Sequence, residues 1–403
     1  MSTVRASVPG KLILMGEHAV VYGHPALVAA VDLRLIAAVT RGEPAQAEDA
    51  PVVVRAMERA GGELQALEFD STWADLVRYA ALVRRRWERY AEQPTAEGFE
   101  NVSNDDPAHL IKVALGEAMD YLLADSDGVE ERDRGSVTLE VESRIPLGRG
   151  MGSSAALAVG VVASTLAACG PPRGSDVVER LALEVERRQH GFPSGVDGST
   201  VLQGGMVWAE PDAKGKLQFS RALDRSKLLA AFRVYDTGPP AESTGTVVEA
   251  VRERVEEEPR SYGRLLERMG ETTRTFRAEL AEHEPEPAAV IACIREYERG
   301  LEALGVVPSG VRELIREIES KGGAAKISGA GSLEEDSSGA LDAARRASTV
   351  RGLAPRSSAA SAGAGCILVF HPEPEVLEAW DPLRHLRRYD VALGAPGLRM
   401  EAA

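Results

Sequence analysis

The stretch GRGMGSS at 148–154, followed by the apolar run AALAVGVVASTLAAC, constrains this chain more than any other. Upstream of it, SVTLEVES over 136–143 alternates Val137, Leu139 and Val141 with polar residues, the period of a half-buried strand. Strand, glycine-rich loop and apolar helix therefore follow one another. Glycine adopts backbone angles that side chains forbid and lets a ligand reach the main chain. Ser153 and Ser154 are placed to cap the helix. A helix start carries unpaired N–H groups and the positive end of the peptide dipole, so the unit is a cradle for phosphate. It is not a P-loop, because GxxxxGK[ST] does not occur. It is not a dinucleotide fingerprint either, because the GxGxxG spacing is off by a residue and lacks its acidic partner. Taken alone, the residues fit a turn that merely packs helix on sheet about as well.

Around this unit the pattern alternates strands and helices, which makes the chain an α/β (α+β) protein. Residues 5–14 read as a strand broken at Pro9-Gly10, and 26–40 as a second strand. Residues 41–106 are more polar and read as an irregular elaboration holding one charged helix, WADLVRYAALVRRRWERY. In 107–124, Ile111, Leu115, Ala118 and Leu122 share one helical face. A helix at 176–190 ends at Gly191 and Pro193, and GGMVWAE is a strand. Beyond 220, LLAAFRVYDT reads as a strand, 244–320 as helices of mixed charge, and AAKISGAG as a strand entering a glycine turn. Residues 332–362 read as a mobile insertion, after which GCILVF resumes a buried strand.

A chain of 403 residues suggests two domains, divided here into 1–220 and 221–403. A net charge of −15 argues against nucleic acid or an anionic membrane as the main partner. The basic run RRRWERY is accordingly read as a solvated helix face. Cys169, Cys293 and Cys366 form neither a disulfide framework nor a zinc motif and read as buried thiols in a reducing cytoplasm. No leader sequence and no transmembrane run are expected.

PLGRGMGSSAAL resembles the central motif of the GHMP kinases, which act on galactose, homoserine, mevalonate and phosphomevalonate. SVPGKLILMGEHAVVYGHPALVAAVDL, 7–33, resembles their N-terminal motif, and GEHAVVYG is most similar to the branch acting on mevalonate. HGFPSGVDGSTVLQGG, 190–205, resembles the segment carrying that branch's acidic catalytic residue. The third family motif is interrupted: KISGAG and GAGCILVF stand on either side of the insertion.

The resemblance implies an N-terminal domain like ribosomal protein S5 domain 2 and a C-terminal ferredoxin-like domain. It implies ATP and Mg²⁺ as cofactors and mevalonate as substrate, and it leaves a homodimer open. Gly148, Arg149, Gly150, Met151, Gly152, Ser153, Ser154 and Ala155 would take the nucleotide. Lys11 and Asp197 would be catalytic, the lysine neutralising transition-state charge and the carboxylate, set on a tight loop, accepting the hydroxyl proton. Ser154 and Glu186 would hold the metal ion through hard oxygen donors. Glu17 and His18 would line the substrate pocket, with Glu17 orienting Lys11 or the substrate, and Thr244 would touch substrate or lysine. Without these motifs Lys11 reads as a strand-end lysine, Asp197 as a turn residue, Glu186 as a solvated glutamate and His18 as a buried imidazole.

Overall fold

The computed structural model describes residues 2–44, 50–60, 63–103, 106–124, 135–222, 226–333 and 363–402. The expected insertion at 332–362 lies outside the described residues except for Ser332 and Leu333.

The chain opens with β1 (Ser2–Met15) and β2 (Ala26–Pro44), which pair antiparallel. Pro9-Gly10 does not break β1. The ladder absorbs the pair as a register shift, with a second shift between Ile13 and Met15. Next come β3 (Pro51–Ala60), β4 (Glu63–Thr72), α1 (Trp73–Glu92), α2 (Ala96–Ser103) and α3 (His109–Ala124). The expected irregular elaboration is therefore mostly regular. β3 pairs antiparallel with β4 and parallel with β5 (Gly135–Ser143), inside the main sheet. Its cue is a period of two: Val52, Val54 and Ala56 are buried, while Val53 is half-buried and Arg55 and Met57 are exposed.

α4 (Ser153–Cys169) follows the glycine loop and is buried around almost its whole circumference. Small residues permit this. A Cβ on Gly160 would sit 3.1 Å from Leu35 and 3.3 Å from Val8, so the helix rests almost directly on β1 and β2. α5 (Ser175–His190) and α6 (Val196–Gln203) pack beside it, ahead of β6 (Met206–Pro211) and β7 (Leu217–Arg221).

The second sheet begins with β8 (Phe232–Asp236), followed by α7 (Thr244–Glu257), α8 (Pro259–Ala281), α9 (Pro287–Ala303) and α10 (Ser309–Ser320). It is completed by β9 (Ala324–Ser328), β10 (Cys366–Phe370) and β11 (Arg387–Tyr389), in the antiparallel order β11-β8-β10-β9. Cys366 stands opposite Ser328 in the ladder, so the two halves of the interrupted motif are adjacent despite the long stretch of chain between them. β12 (Arg399–Ala402) then returns to the first sheet along β1, so a boundary at 220 does not cleanly separate the two sheets. Together these elements are a two-domain α/β architecture: a mixed sheet with helices and a smaller antiparallel sheet with helices of its own.

RRRWERY is only partly a solvated face. Arg84 pairs with Glu117 and Asp120 of α3 at 2.8 Å, Trp87 donates to Gly191 O at 3.0 Å, and Tyr90 is buried. Among the described residues no helix is long and apolar enough to cross a membrane. All three cysteines are buried free thiols.

Candidate active site

Gly148, Gly150 and Gly152 all have left-handed backbone, with φ of 63°, 73° and 75°. Space as well as φ demands glycine at two of them. A Cβ at 150 would lie 2.3 Å from Ser328 O, and one at 152 would lie 2.6 Å from Lys11 Cγ. The loop is thus laid between the end of β9 and the stem of the lysine, and Lys11 N donates to Met151 O at 2.9 Å. Gly152 itself is the N-cap of α4, and no side chain caps the helix. This corrects the expected capping role of the serines: Ser153 and Ser154 form the first turn instead. Freed from capping, Ser154 Oγ shares a hydrogen bond of 3.1 Å with His190 Nε2. Met151 and Ala155 are buried, and they contribute backbone to the cradle.

Lys11 Nζ lies 2.9 Å from Asp197 Oδ2. The lysine side chain is 4 % exposed and the carboxylate 34 %, so the pair has a closed side and an open one. β1 supplies the lysine. Asp197 belongs to the first turn of α6, behind Gly195 at φ 78°, rather than to a free loop. The fold brings these residues together from nearly two hundred positions apart, beneath the N-terminal turn of α4.

Glu186 on α5 is buried and adjoins Gly198, one residue beyond Asp197. Burial, and secondarily the Asp197 charge, push its carboxyl up to about 8, with Lys11 opposing. In the metal-free protein it therefore carries its proton at neutral pH. The folded chain binds that proton more tightly than the unfolded chain, so between about pH 4.5 and 8 stability declines as pH rises. Replacing Glu186 by Gln removes this slope. In EDTA, denaturation profiles should coincide near pH 5, and by pH 9 the variant should be the more stable by up to a few kcal/mol. Parallel pH profiles would refute the assignment.

Glu17 and His18 form the turn after β1. His18 has φ 57°, rare for a residue with a side chain, and its Nε2 meets Ala330 O at 2.9 Å. Burial holds its imidazole below the usual range. Glu17, expected to orient Lys11 or the substrate, forms no ion pair with Lys11. Its Oε1 is paired with Lys326, a fully buried lysine whose Nζ also donates to Ile13 O and Ile327 O. Lys326 carried a signal that sequence reading passed over, since a lysine inside the apolar strand AAKIS must find a counter-charge. Thr244 is exposed at the start of α7, and no hydrogen bond joins it to the Lys11–Asp197 pair. Arg149, expected on the nucleotide, turns its guanidinium to Asp236.

Among the described residues no group of three His, Cys, Asp or Glu side chains forms a metal cage. What the chain offers is smaller: the buried Glu186 carboxyl, Asp197 beside it, and the Ser154 hydroxyl. Such a set suits Mg²⁺, which retains waters and phosphate oxygens and needs few protein ligands.

A glycine loop at a helix start above a converging lysine and aspartate, on this pair of sheets, is the arrangement that the motif resemblance predicts for a small-molecule kinase. Residues 110–205 match the family model for the GHMP kinases N terminal domain. Mevalonate kinase from Pyrococcus furiosus is 27% identical over 336 residues, covering 81% of this chain and 86% of that protein. The Bos taurus mevalonate kinase is 29% identical over 348 residues, covering 81% and 83%. The crystal structure of Methanococcus jannaschii mevalonate kinase superposes with a TM-score of 0.64, at 16% identity over 96% of this chain and 98% of that one.

Proposed function

We propose that the protein transfers the γ-phosphoryl group of ATP to the 5-hydroxyl of (R)-mevalonate, giving ADP and 5-phosphomevalonate. The observation that carries this reading is the 2.9 Å Lys11–Asp197 pair beneath the glycine loop. The similarity to mevalonate kinases over most of both chains supports the choice of substrate. The triphosphate lies along the backbone amides of 148–155, where the dipole of α4 favours negative charge. Glu186 and Ser154 would hold Mg²⁺, which would supply neutralisation of phosphate charge. Asp197, open on one side, accepts the proton of the substrate hydroxyl as the phosphoryl group moves. Lys11 neutralises charge growing on the transferring group and on the hydroxyl oxygen. Little covalent chemistry is asked of the protein; positioning and electrostatics supply the catalysis. Glu17, His18 and Thr244 are assigned to the substrate side.

An ADP-coupled assay with ATP and Mg²⁺ against mevalonate, phosphomevalonate, homoserine and galactose tests the reading. Turnover with mevalonate well above the others is expected. Turnover with another acceptor alone makes the protein a sibling kinase. No turnover with any of them, alongside intact ATP binding, makes it a ligand-binding relative.

A further inference from the structure

Arg149 stands at the centre of the glycine loop, flanked by two glycines in left-handed backbone. A guanidinium there is an obvious partner for a triphosphate, yet it is already engaged. Its Nε lies 2.7 Å from Asp236 Oδ1 and 2.8 Å from Oδ2. Asp236 ends β8 and also accepts Tyr389 Oη from β11 at 2.7 Å and Gly238 N at 2.9 Å. The two side chains are only 16% and 11% exposed, which protects the pair from solvent screening. The backbone fastens at the same place. Cys366 N donates to Arg149 O at 3.2 Å, and Gly365 packs against the Arg149 main chain. Gly150 lies against Ser328. The loop hangs from the first sheet and is tied to β8, β9 and β10 of the second, while β11 reaches it only through Asp236.

We propose that Arg149 is a positioning residue and not a phosphate ligand: its ion pair with Asp236, backed by Tyr389, fixes the glycine loop on the second sheet so that its N–H groups are aimed before nucleotide arrives. This deepens the reading of the loop as the ATP site and rests on it. A run of left-handed glycines has much conformational freedom to lose. If the loop were loose, that ordering cost would fall on nucleotide binding and weaken it. The latch removes the cost in advance, and it joins the two halves of the site mechanically.

The two possible roles of Arg149 agree on one variant and part on another. Arg149→Ala weakens ATP under either. Asp236→Asn keeps shape and an acceptor oxygen but releases the guanidinium. A latch then fails and ATP weakens; a phosphate ligand set free would bind ATP as well as before or better. Calorimetric titration with ATP and with adenosine, on the wild type and both variants, separates them. We expect each variant to lose roughly tenfold in ATP affinity, with adenosine changed by less than about twofold, since only phosphates use the loop. Hydrogen exchange of the nucleotide-free proteins should show faster exchange of the 150–152 amides in both variants, and in milder form in Tyr389→Phe. ATP binding to Asp236→Asn at or above wild-type affinity, or loop amides as protected as in the wild type, overturns the proposal. If the wild type binds no ATP, the nucleotide reading fails, while the exchange measurement still decides whether the latch exists.

Discussion

Asp197→Asn should lower kcat by about 10²- to 10⁴-fold, the range that a positioned general base contributes, while ATP affinity stays within a few-fold of wild type. The split follows from the geometry. Asp197 touches Lys11 at 2.9 Å and is a third exposed, and in the proposed reading the amides of the glycine loop, not this carboxylate, take the triphosphate. Asparagine keeps the size of the side chain and its place in the first turn of α6, so the fold is retained. It removes the acceptor for the hydroxyl proton, and it leaves Lys11, almost wholly buried, without its nearest counter-charge. The loss should therefore fall on the transition state, with kcat and kcat/KM dropping together. Initial rates over mevalonate and ATP, combined with calorimetric ATP titration of the same preparation, test both halves. Near-normal turnover would remove Asp197 as the base. Abolished ATP binding would mean that the carboxylate holds the nucleotide site together instead of serving the chemistry.

That pair was legible in the sequence because each member sits in a long, specific stretch: Lys11 in SVPGKLILMGEHAVVYG and Asp197 in HGFPSGVDG. The strands and helices with strong periodicity were legible as well. β5 alternates almost perfectly, and α3 and α5 repeat at helical spacing. The failures have physical causes. In β3 the buried Val52, Val54 and Ala56 alternate with the less buried Val53, Arg55 and Met57, and an averaged composition over a long polar stretch hides a period of two. The serines at 153–154 look like caps by residue type, yet the sharp left-handed turn at Gly152 takes the cap position and places them one step inside the helix. Asp197 comes after Pro193-Ser194-Gly195 and Val196, and the turn is real; it simply feeds α6 at once. Arg149 in a phosphate loop looks like a phosphate ligand, because nothing local discloses that Asp236, eighty-odd residues later, closes on it. Long-range pairing of this kind is set by how two sheets abut, which spacing along the chain does not encode. The same holds for the return of β12 to β1.

Lys326→Met should destabilise the protein by about 3–5 kcal/mol, the cost of leaving one member of a buried ion pair without the other. Lys326 is fully buried and saturated: Glu17 Oε1, Ile13 O at 3.3 Å and Ile327 O at 2.7 Å take its three protons. Glu17 is 1% exposed, and its second oxygen already has no partner. Burial raises the Glu17 carboxyl, and Lys326 is the main influence pulling it back down. Without the lysine the carboxyl rises further. The sign then follows: a folded state that holds the Glu17 proton more tightly than the unfolded chain loses stability as pH climbs above the ordinary carboxylate range. The penalty of Lys326→Met should accordingly be smaller at pH 5 than at pH 8. Adding Glu17→Gln should recover much of it, because the uncompensated charge goes with the residue. Nearby Glu298 is fully buried, and burial raises its carboxyl well above the usual range; a second carboxyl cannot replace the positive charge that Glu17 loses. Urea denaturation of the two single variants and the double variant at both pH values measures the coupling directly. The consequence for activity should appear on the mevalonate side. Glu17 precedes His18, whose left-handed backbone persists only while the turn is held, and His18 meets Ala330 in the same segment that carries Lys326. Loosening that turn should raise the KM for mevalonate more than the KM for ATP. Equal midpoints for Lys326→Met and wild type at pH 8 would show that the buried pair does not hold the two motifs together.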